Sequence, residues 1–381
     1  MIASLFSRKV ALSGLLSFCR PVAALCAGAS VLLAGFSATA ANAQVKQLYV
    51  RGQLQHINGV NLPWMRNSGG SNYGHDIGPN HFTGYGYHYV GSDVDSYYAD
   101  IKNMHANVVR VWLFENLQGL NFDGNGYISG IDGTFLNNLT DMVQRANNHG
   151  LALELMLLGN DVGVQAGHAP HDGGGNFRNP LTDSSAQSAF MNNVVKVLAQ
   201  RFNNNYGVYG YDLMNEANYA VSTNTNPCSW GQMHSFIYNG AQAIHNVNNN
   251  TQVTCSTDDS ASLQSGNFYN RFGGVGLNYF DFHQYSDNPN LPTLGSGGTF
   301  SNIDRPVVLA EYGPSSTGNI SLQTNVTDSF INQASYKNWA GALIWDYDPT
   351  GQDVLAINYG VGSWHPCCNT LQWYSINKFG L

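Results

Sequence analysis

Short apolar runs alternate with longer amphipathic segments along the chain from Gln53 onward. Eight of these runs are almost continuously apolar, which is the pattern of a parallel strand covered on both faces. The runs that predict strands are Gln55 to Trp64, Asn107 to Phe114, Leu151 to Leu158, Tyr209 to Asn215, Gln252 to Thr257, Phe280 to Tyr285, Pro306 to Ala310 and Ala340 to Asp346.

Amphipathic helices are predicted between these runs. In the segment from Asp93 to His105, apolar side chains recur at the i, i+3, i+4, i+7 spacing of one helix face. These side chains are Val94, Tyr97, Tyr98, Ile101 and Met104. The same spacing predicts further helices over Asp132 to Asn148, Ser184 to Phe202, Trp230 to Val247 and Leu322 to Trp339.

The alternation of strands and helices predicts an α/β fold, a (β/α)8 TIM barrel in a single domain over residues 44–381. Strands separated by helices pair in parallel through right-handed crossovers. Eight such units in roughly 330 residues fit the size range of these barrels. The helices after the fifth and sixth strands are poorly defined, so we expect an irregular barrel. A doubly wound open sheet is the alternative, but Gly59-Val60-Asn61 does not form its Gly-rich phosphate turn.

The first 43 residues predict an export signal. Three basic residues lead the segment, residues 21–41 are almost wholly apolar or small, and Ala41-Asn42-Ala43 supplies a cleavage pattern. A membrane anchor is the alternative, because the apolar run is just long enough to span a bilayer. The cleavage pattern favours removal of the segment, and therefore a secreted protein, extracellular or periplasmic.

Removal of the signal leaves an even number of cysteines, Cys228, Cys255, Cys367 and Cys368. In an exported protein an even number suggests disulfides, and four cysteines allow three pairings. We expect Cys228 to pair with Cys255, and Cys367 with its neighbour Cys368. Zinc is a poor alternative, because no Cys-x-x-Cys pair occurs.

Composition narrows the class of ligand. Charged residues make up only 10% of the chain and the formal net charge is -8. Nucleic acid and anionic membranes both require clustered Lys and Arg, so neither is expected as a partner. A surface rich in Tyr and poor in charge suits a neutral, hydroxyl-covered ligand such as a polysaccharide or oligosaccharide. We expect a monomer.

Glutamate is scarce after the signal, where only Glu115, Glu154, Glu216 and Glu311 occur. Three of them stand at the C-terminal ends of predicted strands: Glu115 on strand two, Glu216 on strand four and Glu311 on strand seven. That edge of a barrel carries the active site. Glu154 lies inside strand three, and we interpret it as a structural residue.

Two carboxylates facing each other across a barrel mouth suit the cleavage of a glycosidic bond. One protonates the leaving oxygen, and the other attacks the anomeric carbon or activates water. Strands four and seven face each other, so Glu216 and Glu311 are the candidate pair. A salt bridge at a strand end is the plainer explanation for either residue alone.

Several motifs together resemble the retaining glycoside hydrolases of clan A, most closely family 5, the cellulase and mannanase group. Asn215-Glu216 follows strand four, and Glu311 lies on strand seven. The resemblance covers essentially the whole mature chain in strand order. Its other matching motifs are Gly59-Val60-Asn61 with Trp64, Arg110 in Val-Val-Arg-Val-Trp, His283-Gln284-Tyr285, and Trp345 in Leu-Ile-Trp-Asp.

The resemblance implies two catalytic residues. Glu216 is expected to act as general acid and then base, which requires a raised pKa. Glu311 is expected to be the nucleophile, kept ionised by Arg110 and by a hydrogen bond from Tyr285. A retaining mechanism places the two carboxyl groups about 5 to 5.5 Å apart.

The remaining expected site residues bind the sugar or orient the acid. Asn215 is expected to contact the sugar 2-hydroxyl, a contact that strengthens in the transition state. His283 would orient the acid or line the subsite, and Trp345 would stack under the sugar. Trp64 is a second candidate for stacking on a pyranose face.

Two positions depart from the family pattern. Ala217 stands where the family usually has Pro after the catalytic Glu, and strand three ends in Asn160 or Asp161 where a His is frequent. The Arg-Val-Trp-x-Phe run is similar to mannanases, although relatives that cleave glucans remain an alternative. The predicted function is thus hydrolysis of a neutral β-mannan or β-glucan, with endo action expected. An inactive carbohydrate-binding barrel and a transglycosylase are the alternatives.

No cofactor is expected, but one loop has the spacing of a calcium site. From Asn121 to Asp132, oxygen ligands fall at positions 1, 3, 5, 9 and 12, with Gly at position 6. Asn at position 1 and Asp at position 12 reduce charge and reach. The favoured interpretation is a turn-rich loop in which Asp132 caps the next helix.

Overall fold

The structure is a computed structural model, and it describes residues 47–66, 73–74, 89–114, 117, 119–163, 177–222, 228–258, 271–295, 303–316, 319–348, 355–357 and 365–381. The predicted export signal and Glu115 lie outside these residues. The strands within them are β1 (Leu48–Val50), β2 (Gln53–Gln55), β3 (Ile57–Leu62), β4 (Met65–Arg66), β5 (Tyr73–Gly74), β6 (Val108–Phe114), β7 (Leu120–Phe122), β8 (Ile128–Ile131), β9 (Ala152–Leu158), β10 (Val208–Asp212), β11 (Gln252–Thr254), β12 (Ser256–Thr257), β13 (Phe280–Tyr285), β14 (Val307–Gly313) and β15 (Gly341–Ile344).

The main sheet is parallel and closes into a barrel. Its strand order is β11-β10-β9-β6-β3-β15-β14-β13-β12. The two ends of this order, β11 and β12, are separated by Cys255 alone. They form one interrupted fifth strand, which pairs with β10 on one side and with β13 on the other. The predicted single-domain (β/α)8 TIM barrel is therefore confirmed, with an irregular fifth strand.

The C-terminal ends of strands four and seven, where the candidate catalytic residues lie, differ from their predicted bounds. Strand seven continues to Gly313, so Glu311 lies inside the strand. Strand four ends at Asp212, but the residues beyond it remain attached to its neighbours. The Leu213 amide donates to the Thr254 carbonyl at 3.0 Å, and the Asn215 amide donates to the Leu158 carbonyl at 2.8 Å.

The helices surround the barrel and bury the apolar faces that the sequence predicts. Their bounds are α1 (Gly91–Asn103), α2 (Gly133–Asn148), α3 (Ser184–Phe190), α4 (Lys196–Arg201), α5 (Tyr219–Ser222), α6 (Trp230–His245), α7 (Ile320–Tyr336) and α8 (Pro366–Tyr374). A π-helical turn, Met191–Val195, joins α3 to α4. Among the described residues, no helix combines the length and the apolar character needed to cross a membrane.

Polar caps fix where several helices begin. Asp132 accepts hydrogen bonds from the backbone amides of Thr134 and Phe135 at 2.8 and 3.0 Å, as predicted for the start of α2. Ser229 and Gln232 form a reciprocal capping box at the start of α6. Each such cap stabilises a helix by about 1 kcal/mol.

The barrel interior is layered, because alternate residues of each strand point inward. On β6 and β9, and from Tyr279 into β13, these residues run from an apolar layer, through a charged layer, to the mouth. The three sets are Val108, Arg110 and Trp112; Ala152, Glu154 and Met156; and Tyr279, Asp281 and His283. Leu48 and Val50 of the β1–β2 hairpin pack against the apolar layer. The charged layer thus lies between an apolar floor and the mouth.

The predicted disulfides are wrong: the described cysteines are free and buried thiols. Cys228 and Cys255 each direct their sulfur to a backbone carbonyl, those of Ser229 and Met214. Cys367 and Cys368 lie in the first turn of α8. Neighbouring side chains on a helix diverge by about 100°, because a turn takes 3.6 residues, so these two thiols do not face each other.

Candidate active site

Arg110 is the centre of the polar network in the barrel. Its side chain is fully buried on β6, donates hydrogen bonds to residues of three other strands or their ends, and forms an ion pair with Glu154 of a fourth. The guanidinium contacts are Glu311 Oε1 at 2.6 Å, Asn215 Oδ1 at 2.7 Å, Asp212 Oδ2 at 2.8 Å, Asn61 Oδ1 at 3.0 Å and Glu154 Oε1 at 3.3 Å. Burial alone lowers the pKa of Arg110, but the surrounding carboxylates outweigh burial and raise it, so the group stays charged.

Glu311 receives two donors that favour its ionised form. Arg110 binds one carboxylate oxygen, and the Tyr285 hydroxyl donates to the other at 2.9 Å. The side chain is almost completely buried. Burial raises the pKa of Glu311, and His283, Arg110 and the Tyr285 hydrogen bond oppose that rise. These contacts are those expected of Arg110 and Tyr285 from the sequence.

Glu216 lies at the mouth and is held from both sides. Its backbone is in the left-handed region at φ 46, and its amide donates to the Ser256 hydroxyl at 3.0 Å. A non-glycine residue in this region carries about 1–3 kcal/mol of strain, which the surrounding contacts must offset. His283 Nδ1 lies 3.0 Å from one carboxylate oxygen, and Asn160 Nδ2 lies 3.4 Å from the other.

The pKa of Glu216 is raised to about 7. Burial is the main cause, and the negative charge of Asp258 is the next. Asp258 is fixed by the Asn218 side-chain amide at 2.7 Å and by the Tyr219 hydroxyl. Asp258 was not predicted from the sequence. Its signal was weak, since it follows strand five in a loop, where an aspartate is common.

His283 stands between the two carboxylates. Its Nδ1 lies 3.0 Å from Glu216 and 3.4 Å from Glu311. Burial lowers the pKa of His283 to about 4, so the ring is neutral at neutral pH. One oxygen of each carboxylate and a ring nitrogen of His283 all lie within 4.8 Å of one another.

Three tryptophans form a wall beside the carboxylates. Trp345 lies 5.6 Å from Trp64 and 5.5 Å from Trp112, measured between ring centroids. Tyr285 packs against the same group. Trp345 and Trp64, predicted to contact sugar, thus lie together; Trp345 and Trp112 are buried, and Trp64 is partly exposed. Asn215 also lies here, with its Oδ1 bound to Arg110.

A second group of acidic side chains lies below the mouth, and only Glu154 among them is singled out by the sequence. Glu154, Asp212 and Asp281 are fully buried around Arg110. Burial raises the pKa of Glu154 to about 7 and that of Asp281 well above the usual range. Glu154, which the sequence predicts to be structural, accepts a hydrogen bond from the Tyr279 hydroxyl at 2.6 Å. Asp212 and Asp281 were not predicted, and an acid inside a predicted strand is the signal that could have identified them.

Within the part of the chain that the structure describes, two sets of side chains have ligand atoms close enough to hold a metal ion: Glu216, His283 and Glu311, and the deeper set Glu154, Asp212 and Asp281. Arg110 already places its positive charge against the deeper set and against Glu311.

The loop with calcium spacing is a β-hairpin formed by β7 and β8. Asp123 Oδ1 accepts the amides of Asn125 and Tyr127, both at 2.9 Å. Asp132 Oδ1 accepts the first amides of α2. These oxygens thus already bind backbone amides of the turn and the helix.

The arrangement at the mouth pairs a carboxyl group whose pKa is raised with one that accepts two donors. The pKa of Glu216 is raised to about 7, and Arg110 and Tyr285 stabilise the ionised form of Glu311. In general, one carboxyl group of such a pair can supply a proton and the other can act as a nucleophile. The aromatic wall suits a ligand with apolar C–H faces.

The chain is similar in sequence to a known family and to proteins named as mannan-cleaving enzymes. The cellulase model of glycosyl hydrolase family 5 matches residues 70–351. A mannan endo-1,4-beta-mannosidase from Mytilus edulis is 24% identical over 326 residues, which cover 76% of this chain and 83% of that protein. Mannan endo-1,4-beta-mannosidase A from Hypocrea jecorina is 24% identical over 312 residues, covering 72% of this chain and 68% of that protein.

Solved structures share the fold. The β-mannanase of the blue mussel Mytilus edulis superposes with a TM-score of 0.61 at 19% identity, over 85% of this chain and 92% of that one. An exo-β-1,4-mannosidase from an Opitutaceae bacterium superposes with a TM-score of 0.61 at 15% identity, over 88% of this chain and 61% of that one. Because the family match spans well over half of its length, the chain belongs to glycosyl hydrolase family 5 and is an O-glycosyl hydrolase.

Proposed function

We propose that the protein is an exported endo-β-1,4-mannanase that cleaves by a retaining, double-displacement mechanism. The observation that carries the mechanism is the proximity of Glu216 and Glu311, whose nearest oxygens lie within 4.8 Å. Retaining enzymes place the two carboxyl groups about 5 to 5.5 Å apart, whereas inverting enzymes leave about 6.5 to 9.5 Å for a water molecule.

In the first step the Glu311 carboxylate attacks the anomeric carbon, and Glu216 transfers its proton to the departing glycosidic oxygen. The products are a glycosyl ester on Glu311 and a free sugar hydroxyl. In the second step Glu216, now ionised, removes a proton from water, whose oxygen attacks the same carbon and releases Glu311. The anomeric configuration is inverted twice and therefore retained.

The surroundings support this division of roles. Two close carboxylates do not both ionise easily, so the proton goes to the one with fewer favourable partners. Arg110 and Tyr285 favour the anion at Glu311, whereas burial and Asp258 keep the proton on Glu216. His283, neutral and 3.0 Å from Glu216, orients the acid.

The substrate proposal rests on relatives, and the export proposal rests on the sequence. The names of the similar proteins from Mytilus edulis and Hypocrea jecorina specify mannan and endo cleavage. The aromatic wall of Trp64, Trp112 and Trp345 suits a neutral pyranose chain. Residues 1–43 carry the cleavage pattern of an export signal.

A panel of mannan, β-glucan, xyloglucan, xylan and galactan, with product sizes and anomeric configuration followed by chromatography and NMR, tests this proposal. We expect mannan to be degraded fastest, to internal fragments, with the β-configuration appearing first. Release of monosaccharide alone would overturn endo action, and initial α-product would overturn the retaining mechanism. Faster cleavage of another polymer would overturn the substrate. Products longer than the substrate would indicate transglycosylation.

A further inference from the structure

A groove lies at the end of the barrel opposite the candidate active site. Its volume is about 610 Å³. Its lining includes Val208 and Gln252, where β10 and β11 begin, and the turn of the β1–β2 hairpin at Arg51 and Gly52. Glu216, in contrast, follows the C-terminal end of its strand. The groove is thus separate from the carboxylate pair.

Two tyrosines give this groove large exposed ring surfaces. Tyr49 is 57% exposed and Tyr206 is 59% exposed, and both line the groove. A tyrosine ring combines an apolar face with a polar hydroxyl, and it loses little rotational freedom on binding. Such rings suit the C–H face of a sugar, which is apolar while its edges are hydroxylated.

The hairpin turn packs closely against the ring of Tyr206. A Cβ atom on Gly52 would lie 3.2 Å from Tyr206 Cε1, which is a tight contact, so the glycine eases this close approach. Arg51 and Gly52 both have positive φ, as a two-residue hairpin turn requires. Arg51 Nη1 fastens the turn by donating to Asn147 Oδ1 at 2.8 Å and to the Leu151 carbonyl at 3.1 Å.

Side-chain amides supply the polar part of the lining. Six asparagines line the groove: Asn204, Asn205, Asn248, Asn249, Asn250 and Asn278. Asn248 Nδ2 donates to the side-chain oxygens of Asn203 and Asn204 at 3.0 and 3.1 Å, which orders these amides relative to one another. An amide both donates and accepts, as a hydroxyl does, so this lining matches a polyhydroxylated ligand.

The charge of the groove argues for a neutral ligand. Arg51 is the single charged residue among the described residues that line it. Its guanidinium is already bound to Asn147 and to backbone carbonyls. An anionic polymer would need positive charge here and a cationic one would need carboxylates, because charge complementarity guides such binding.

We propose that this groove is a second, non-catalytic binding site for a neutral polysaccharide chain, stacked on Tyr49 and Tyr206 and hydrogen-bonded by the asparagine amides. The choice of mannan as that polysaccharide rests on the proposed function. A second contact with the same polymer raises the local concentration of substrate at the carboxylate end, without a change in the chemistry.

The test compares Tyr49→Ala/Tyr206→Ala with a matched double variant, Tyr238→Ala/Tyr336→Ala, whose tyrosines are similarly exposed outside the groove lining. Depletion binding to insoluble mannan is measured together with rates on soluble manno-oligosaccharides. We expect the groove variant to bind insoluble mannan about tenfold more weakly, or ~1.4 kcal/mol, for the loss of two stacking rings. Its rate on oligosaccharides and its melting temperature should match those of the control variant.

Equal binding of insoluble mannan by both double variants would overturn the proposal, provided that both are folded. Tyr206→Phe keeps the ring and should keep most of the binding. Its failure to do so would overturn stacking as the cause. If the wild type cleaves another neutral polymer, the proposed function fails, and the same comparison is made with that polymer. If the wild type cleaves mannan but the two double variants bind insoluble mannan equally, only the groove proposal is overturned and the proposed function stands.

Discussion

Glu311 and Glu216 have oxygens within 4.8 Å of each other, but the residues around them differ in charge. Around Glu311 the donors are a guanidinium and a phenol, both at hydrogen-bonding distance. Around Glu216 the polar neighbours are the neutral imidazole of His283 and the side-chain amide of Asn160, and Asp258 adds negative charge. The two glutamates thus differ in their surroundings although they have the same side chain. The proposed role of each, nucleophile or acid, can be tested by removing one neighbour or one carboxylate.

The largest expected effect is the loss of activity when either carboxylate is removed. The two losses should depend differently on the leaving group of the substrate. We expect Glu311→Ala to lower kcat by about 10⁴-fold or more on every substrate, because no residue replaces the nucleophile. Glu216→Ala should lower kcat by about 10²- to 10⁴-fold on polysaccharide, since protonation of the leaving oxygen is lost. On a dinitrophenyl glycoside, whose leaving group needs no proton, formation of the glycosyl-enzyme should be nearly as fast in Glu216→Ala as in the wild type.

Pre-steady-state release of dinitrophenol measures this difference directly. A burst in Glu311→Ala and none in Glu216→Ala would reverse the assigned roles. Circular dichroism spectra and melting curves serve as the control for folding in both variants.

The next effect concerns the donors around Glu311. Tyr285→Phe removes the hydroxyl that lies 2.9 Å from the carboxylate. A hydrogen bond to a charged group contributes about 1.5–3 kcal/mol, so kcat/KM should fall by about 10- to 100-fold. Tyr312→Phe is the matched control, because Tyr312 packs on Phe330 and not on the carboxylate. Equal losses in the two variants would contradict a specific role for Tyr285.

A smaller effect concerns the charge beside Glu216. Glu216 must hold its proton for the first step, so activity is lost as the pH rises through its pKa of about 7. Asp258 raises that pKa, and Asp258→Asn should therefore move the alkaline limb of kcat/KM to lower pH. The control is Asp304→Asn, a partly exposed acid on the loop before β14, which should leave the profile unchanged. An alkaline limb that stays in place would remove Asp258 from this role.

The smallest expected effect is that of calcium. Asp123 and Asp132 already accept backbone amides in the hairpin and at the start of α2. We therefore expect the melting temperature to be the same with a chelator as with millimolar calcium. An increase with calcium that is lost in Asp123→Ala would assign a metal to the 121–132 loop.

The fold was predictable because each strand is a run of apolar residues with helical periods between the runs. Strand six was predicted at its observed bounds, Phe280–Tyr285. The break at Cys255 was not predictable, because Gln252 to Thr257 reads as one uninterrupted run. Hydrophobic pattern reports burial, and it does not report where a ladder of backbone hydrogen bonds shifts.

The residues of the candidate site at the barrel mouth were predictable from the sequence, whereas the charged layer below them was not. Glu216 and Glu311 were found because the sequence places them at the C-terminal ends of predicted strands, and parallel strands end at one edge. Arg110 binds Asp212 as well as Glu311. This contact depends on side-chain directions across several strands, which the spacing of residues along one strand does not give. The disulfide prediction was wrong for a related reason: the number of cysteines says nothing about whether two sulfurs face each other.

The indoles of Trp64, Trp112 and Trp345 meet at centroid distances of 5.5 to 6.1 Å beside the two carboxylates. Indole emission shifts with the polarity of its surroundings. A chain of sugar units that displaces water from this wall would thus change the intrinsic fluorescence of the protein. Tryptophan fluorescence can therefore report the binding of sugar at the mouth in unlabelled protein. The same measurement can be made with Glu311→Ala, where no product is expected to form.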